Sequence, residues 1–272
     1  MHTPINSGRL APRTALFLPA SNPRAVEKAR GLGADLAILD LEDAVRDDAK
    51  AEARAAAVTA MREGFGASLT AIRLNAIDSP HHAADVIAIA DAACDFIVLP
   101  KVEHADDAAR VASLLDKPLL AMIETPRGVL AAAGIAAAPG VAGLLAGAND
   151  LRATLGIPGT GREGIGLALQ TIVLAARAAD GWAIDGVFNA LDDSEGLAAE
   201  CRHGRSLGFD GKSLIHPNQI AVAAAAFGPT SDELVEARAL IEAASGGAER
   251  FRDRMIESMH VAQARALIAR AE

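Results

Sequence analysis

Two carboxylates carry the first chemical signal in this chain. Glu124 closes the apolar part of Ala121-Met-Ile-Glu-Thr-Pro-Arg-Gly128, and Asp150 closes Leu145-Ala-Gly-Ala-Asn-Asp150. Each follows a short apolar run and precedes a helix-like segment. They stand too far apart in sequence to share a helix face. They would meet if both sat at the C-terminal ends of neighbouring parallel strands. Two carboxylates converging there, among small residues, suit one hard divalent cation that keeps waters and open positions for a substrate. The plainer alternative is a strand-end Glu capping a helix and an Asn-Asp turn. The elements that would bring the pair together decide between the two.

Those elements alternate. Apolar runs predict strands over 13–20, 36–43, 69–76, 95–101, 119–124, 141–146, 183–188 and 211–217, each followed by a helical segment. Ser21-Asn22-Pro23 marks the start of the first helix, with Pro23 at its first position. The strand segments read as continuous apolar runs, as expected where both faces are buried. Eight strand–helix units predict an α/β fold of the (β/α)8 TIM-barrel type. The Gly-rich dinucleotide fingerprint of an open sheet is missing after the first strand. The expected organisation is a polar tail over 1–12, a barrel over 13–230 and a C-terminal helical arm over 231–272, packing on a neighbouring subunit.

Composition bounds the rest. The 272 residues suit one barrel, which commonly takes about 250. Apolar residues make up 51% of the chain, enough for a large core without disulfides or structural metals. The net charge of −9 and the lack of a Lys/Arg-rich block disfavour nucleic-acid binding. Cys94 and Cys201 have no metal-site or CxxC spacing, which fits a cytoplasmic protein. The N-terminus has no apolar segment of a secretory signal. Residues 129–148 lack charge over a membrane-spanning length, but Pro139-Gly140 splits them, so no membrane span is expected.

Further polar residues fall at the expected C-terminal strand ends. They are Asp40, Glu42 and Asp43 from strand two, Arg73 and Asn75 from three, and Lys101 and Glu103 from four. Asn189 and His216 follow from strands seven and eight. This carboxylate excess calls for a cation. The planar fork of Arg73 suits a substrate carboxylate, and the alternative is a structural salt bridge to Asp40 or Glu42. His216 precedes Pro217, so a structural role competes with a catalytic one. Asp40, Glu42 and Asp43 suit a network that orients metal-bound waters. Lys50 and Arg54, four apart on the second helix, read as a solvated face or as a phosphate contact.

Taken together these motifs carry a resemblance. Leu39-Asp-Leu-Glu-Asp-Ala44, Ile72-Arg-Leu-Asn-Ala76, Leu99-Pro-Lys-Val-Glu103 and Ile123-Glu-Thr-Pro-Arg-Gly128 occur in order. Gly147-Ala-Asn-Asp-Leu151 and Gly211-Lys-Ser-Leu-Ile-His-Pro217 follow them. The chain resembles the citrate lyase β-subunit-like family of the HpcH/HpaI aldolase superfamily. The resemblance implies a trimeric or hexameric TIM barrel that uses Mg2+ (or Mn2+) to cleave or form a carbon–carbon bond in a 3-hydroxyacyl-CoA thioester. Malyl-, citramalyl- or citryl-CoA would give an acyl-CoA and a 2-oxo acid. It assigns Glu124 and Asp150 to the metal, Arg73 to the oxo-acid portion, and Glu124 to the substrate site as well. Asp43 stands where the free-acid aldolases have a catalytic His, which points to the thioester branch. Glu257 stands where that branch has an Asp reaching a neighbouring subunit's site, and it is the candidate acid/base, with Asp43 next. The expected function is therefore an Mg2+-dependent carbon–carbon lyase. An aldolase on free 2-oxo acids, an acyl-CoA thioesterase and a non-catalytic thioester-binding subunit are the alternatives.

Overall fold

The computed structural model describes residues 9–271, so part of the expected polar tail, 1–8, lies outside the described residues. Eight parallel strands close into a barrel in chain order: β1 (Thr14–Pro19), β2 (Leu36–Asp40), β3 (Leu69–Arg73), β4 (Phe96–Leu99), β5 (Leu119–Ile123), β6 (Val141–Ala146), β7 (Trp182–Asp185) and β8 (Gly211–Leu214). β8 returns to β1 with Ser213 opposite Ala15. The (β/α)8 expectation is met.

Alternation along each strand sorts its residues into two buried clusters. Ile38, Val98, Leu120, Leu145 and Ile184 point into the barrel. Their neighbours Leu39, Ile97, Leu119, Leu144 and Ala183 pack against the surrounding helices. Both faces are thus buried, which is why the strands read as unbroken apolar runs. Phe96 and Trp182, the first residues of β4 and β7, stack with centroids 5.1 Å apart and fill the N-terminal end of the barrel. The opposite end is left with polar side chains and open space.

The outer layer is α1 (Pro23–Ala29), α2 (Lys50–Glu63), α3 (His82–Ile89), α4 (Ala105–Leu115), α5 (Pro126–Ala136), α6 (Ala148–Thr154), α7 (Gly166–Ala178), α8 (Ser194–Leu207) and α9 (Ile220–Phe227). Asn22 caps α1 by accepting from the Ala25 amide, and Thr125 caps α5 by accepting from Gly128. α6 is the helix-like segment expected after the sixth strand, but it starts before Asp150 and holds that residue in its first turn. Every strand but β6 also ends earlier than its apolar run suggests. Asp40 stops β2 by accepting from the amides of Glu42 (2.9 Å) and Ala44 (3.1 Å), an Asx turn.

Beyond the barrel, α10 (Ser231–Ala243) is followed by a hairpin, β9 (Glu249–Phe251) with β10 (Arg254–Ile256), and then α11 (Ser258–Ala269). The arm is therefore not wholly helical. Ile256, Val261 and Leu267, which need a cover, find one within the chain against Ala237 and Leu240 of α10. Met255 and Met259 remain exposed. No helix among the described residues is long and apolar enough to cross a membrane.

Candidate active site

The polar side chains at the C-terminal end of the barrel form one connected chain. Asp40, at the end of β2, is 1% exposed and takes one edge of the Arg73 guanidinium, from Nε at 2.7 Å and Nη2 at 2.6 Å. Arg73 Nη1 lies 3.0 Å from Glu42 Oε2, a charge contact without hydrogen-bond geometry, and the guanidinium stacks over Phe17. Burial alone would discharge Arg73. The hydrogen bonds and charge of Asp40 outweigh it and raise the pKa, so the group stays cationic. Lys101 bonds Glu42 Oε1 through its ammonium. Burial nonetheless pushes the Glu42 carboxyl up.

Lys101 has a left-handed backbone (φ 52°), and its amide donates 2.8 Å to Glu124 Oε1. That holds Glu124 at the end of β5. Asp150, in the first turn of α6, lies beside Glu124 from the neighbouring strand end, and both line one cavity. Burial first, then the Asp150 hydrogen bond and the charges of Glu42 and Asp150, push the Glu124 pKa up to about 8. The two carboxylates therefore meet as the sequence predicts.

They face a cavity of about 400 Å3 that also reaches Arg73, Asp43, Phe17, Met122, Asn149, Asn189 and Ser213. Gly147 makes this packing fit: a Cβ there would collide with Glu124 Cβ and Oε2. A Gly147→Ala protein is expected to stay folded but to bind Mg2+ at least tenfold more weakly, because Glu124 must swing aside. Calorimetric titration with Mg2+ checks this, and unchanged affinity would show that the carboxylate has slack.

The residues present fit a divalent cation. No group of three His, Cys, Asp or Glu side chains converges among the described residues. Glu124 and Asp150 would hold Mg2+ and leave the rest of its octahedron to water and substrate, as this ion commonly requires. A cation at this site would also compete with the proton that burial favours on Glu124. Because the Glu124 pKa is raised, protonation stabilises the fold below the unfolded value of 4.5, and that contribution is lost as pH rises through about 8. The metal-free protein should therefore melt at lower temperature at pH 9 than at pH 6. Mg2+ should oppose the loss, and its affinity should climb over the same interval. A flat pH dependence of both quantities would show that Glu124 holds no extra proton.

Other candidates are placed differently. Arg73 lines the cavity, but most of its fork is spent on Asp40, so the structural salt bridge is present. Arg73→Lys should thus cost about 1–3 kcal/mol of stability, because the buried Asp40 loses a bidentate partner. A melting curve identical to wild type would show that one ammonium suffices. Lys50 is buried and donates to the carbonyls of Leu41 and Glu42 at 2.8 Å each. Arg54 pairs with the fully buried Asp85 at 2.8 Å. Neither is a solvated face or a phosphate contact, because both are consumed inside the wall. His216 caps a 3-10 turn by accepting from Asn218 and is structural. Asn75 bonds Asp85, and Glu103 pairs with Arg127, both away from the cavity. Glu257 caps α11 within the arm and does not line this chain's cavity.

Asn189 lines the cavity as expected, whereas Asn149, Met122 and Phe17 are cavity residues that the sequence reading does not single out. Asn149 and Asn189 bond each other at 2.8 and 3.2 Å, and Arg152 braces Asn149 at 2.6 Å. Met122 and Phe17 are hidden in apolar strand runs. Inward parity at a strand's last residues is the signal that could have flagged them.

Residues 13–217 match the HpcH/HpaI aldolase/citrate lyase family. The chain belongs to that family. It is 43% identical to a (3S)-malyl-CoA thioesterase of Cereibacter sphaeroides over 270 residues, covering 96% of this chain and 94% of that protein. It is 37% identical to a citrate lyase subunit beta-like protein of Mycobacterium tuberculosis, covering 94% of each. Among solved structures it is similar to CitE of M. tuberculosis in complex with magnesium, acetoacetate and coenzyme A. The TM-score is 0.84 at 35% identity, over 97% of this chain and 98% of that one. Membership in a family of CoA-thioester enzymes agrees with the sequence resemblance. The thioesterase and lyase names among the relatives leave the bond that is broken as the finer question.

Proposed function

We propose that the chain is an Mg2+-dependent enzyme acting on a malyl-type 3-hydroxyacyl-CoA thioester, and that it hydrolyses the thioester. The observation that carries the small-acid part is the Glu124–Asp150 pair in one cavity with Arg73. The 43% identity to a malyl-CoA thioesterase favours hydrolysis. Mg2+ held by Glu124 and Asp150 would supply Lewis-acid polarisation and neutralise charge on the acid. Arg73 Nη1 presents positive charge to the same space, while Nε and Nη2 hold Asp40 in place.

Asp43 is the carboxylate at the rim, 60% exposed and within 4 Å of both Arg73 Nη1 (3.7 Å) and Lys101 Nζ (3.9 Å). It takes the proton of the attacking water in this reading. Water adds to the thioester carbonyl, the C–S bond breaks, and the CoA thiolate leaves and is protonated. Products are the hydroxy acid and free CoA.

Carbon–carbon cleavage is the second reading, favoured by the 37% identity to a citrate lyase beta-like protein. There the hydroxyl loses its proton, the C–C bond breaks to a 2-oxo acid, and the acyl-CoA enolate takes up a proton. Glu257 of a neighbouring subunit is the candidate donor in a trimer or hexamer. The exposed Met255 and Met259 beside it suit a subunit contact. One incubation of malyl-CoA with Mg2+ separates the readings. Free thiol matched by malate marks hydrolysis, whereas glyoxylate matched by acetyl-CoA without free thiol marks the lyase. No consumption under either readout overturns both.

A further inference from the structure

Three buried side-chain atoms lack a hydrogen-bond partner among the described residues: Glu42 Oε2, Arg162 Nε and Ser213 Oγ. The first two belong to charged groups already engaged, Glu42 with Arg73 and Lys101, and Arg162 with Asp185. Ser213 has no such engagement. It is 1% exposed and borders the cavity that holds Glu124 and Asp150.

Strand alternation explains its direction. Lys212 points to the helices, where it bonds Glu200 of α8, and Leu214 joins the cluster between barrel and helices. Ser213 between them therefore points inward. A buried hydroxyl without a partner opposes folding, and Ala at this position would avoid that cost. The site retains it beside a cavity built for an acid.

We infer that Ser213 is a substrate-binding residue, its unpartnered hydroxyl facing the cavity of Glu124 and Asp150 and donating to an oxygen of a short hydroxy or oxo acid. The other side-chain donors on the cavity wall are at least partly engaged. Arg73 gives Nε and Nη2 to Asp40, and the amides of Asn149 and Asn189 are turned on each other. Among the described residues of the wall, Ser213 Oγ is buried with no hydrogen bond at all. No base contacts its Oγ, so it serves as a donor and not as a nucleophile. Its depth assigns it to the acid end of the acyl chain, because the nucleotide-bearing thiol must leave through the mouth. This deepens the small-acid part of the proposed function and does not rest on thioester turnover.

Calorimetric titration of malate, glyoxylate and oxaloacetate, each with saturating Mg2+, tests it in wild-type, Ser213→Ala and Ser213→Cys proteins. The Ala variant should bind the best of these acids about three- to tenfold more weakly, the worth of one neutral hydrogen bond. The near-isosteric Cys variant, a weak donor, should fall between. Mg2+ affinity without acid should be unchanged, and the melting temperature of the Ala variant should be equal to or above wild type. Equal acid affinity in all three proteins overturns the inference. So does a matching fall in Mg2+ affinity or melting temperature, which would mark Ser213 as structural, or a wild-type protein that binds none of the acids. Acid binding that depends on Ser213 in a protein without malyl-CoA turnover would sustain the inference while defeating the proposed reaction.

Discussion

In a Glu124→Gln protein, Mg2+-dependent thioester turnover should fall by about three orders of magnitude, roughly 4 kcal/mol of transition-state stabilisation. The side chain is 2% exposed and keeps its place, since an amide oxygen can still accept from the Lys101 amide. What disappears is one of two anionic ligands. Asp150→Asn should act in the same direction from the other side of the cation. Neither residue is part of the apolar core, so both variants should fold. The metal-free Glu124→Gln protein should even melt above wild type at pH 9, because the buried Glu124 charge beside Asp150 has been removed. Calorimetry with Mg2+, a melting curve at pH 9 and the malyl-CoA assay make three separable readouts. Wild-type Mg2+ affinity in either variant would move the metal elsewhere. Lost affinity with retained turnover would mean that the chemistry needs no metal.

The carboxylate pair was legible because its logic is topological. Strictly alternating strands and helices place every C-terminal strand end on one face, so Glu124 and Asp150 had to converge once the barrel was counted. What the sequence hides is who pairs with whom inside that face. Arg73 looks like a free anion clamp because its fork is a property of the residue. That Asp40 fills most of the fork depends on β2 and β3 being in register, with Asp40 opposite Arg73. Lys50 and Arg54 show the converse error. Their four-residue spacing is the mark of an exposed helix stripe, yet α2 turns that stripe toward carbonyls and Asp85 beneath it.

The arm divides in a similar way. Its apolar residues call for a cover, and the sequence cannot say that α10 of the same chain supplies part of it. Gly246-Gly247 reads as a simple break before a helix. The hairpin after it follows from alternation too short to register, three residues in each strand. Ser213 lies within the Gly211–Pro217 motif and gives no sign of being a donor, since a serine in a strand carries no periodic signal. Only its buried, partnerless hydroxyl distinguishes it.

The largest loss of stability should come from a residue outside the cavity. Lys212 is fully buried on β8 and donates to Asp185 (3.1 Å), the Gly186 carbonyl (2.7 Å) and Glu200 (2.8 Å). Arg162, from the segment after α6, grips Asp185 with both Nη atoms at 2.7 and 2.8 Å. Two cations thus face two carboxylates between barrel and helices. Burial alone would raise the Asp185 pKa, but the charges of Lys212 and Arg162 prevail and lower it, so the carboxylate stays ionised. Lys212→Met leaves one buried carboxylate charge uncompensated and should cost about 3–5 kcal/mol, a melting temperature roughly 10 °C lower. Pairing it with Asp185→Leu removes the orphaned charge and leaves Arg162 with Glu200, so the double variant should recover much of the loss. The sign with pH also follows. A lowered pKa contributes stability above the unfolded value of 3.8, which is lost as pH falls through the folded value. Without Lys212 that contribution shrinks, so the gap between variant and wild type should narrow on acidification. A Lys212→Met protein that melts with wild type at pH 7 would show that water reaches the cluster and solvates its charges. A double variant no more stable than Lys212→Met would show instead that the ammonium's bond to the Gly186 carbonyl, at the end of the strand leading to Val187 and Asn189 of the cavity wall, is what holds this side of the barrel together.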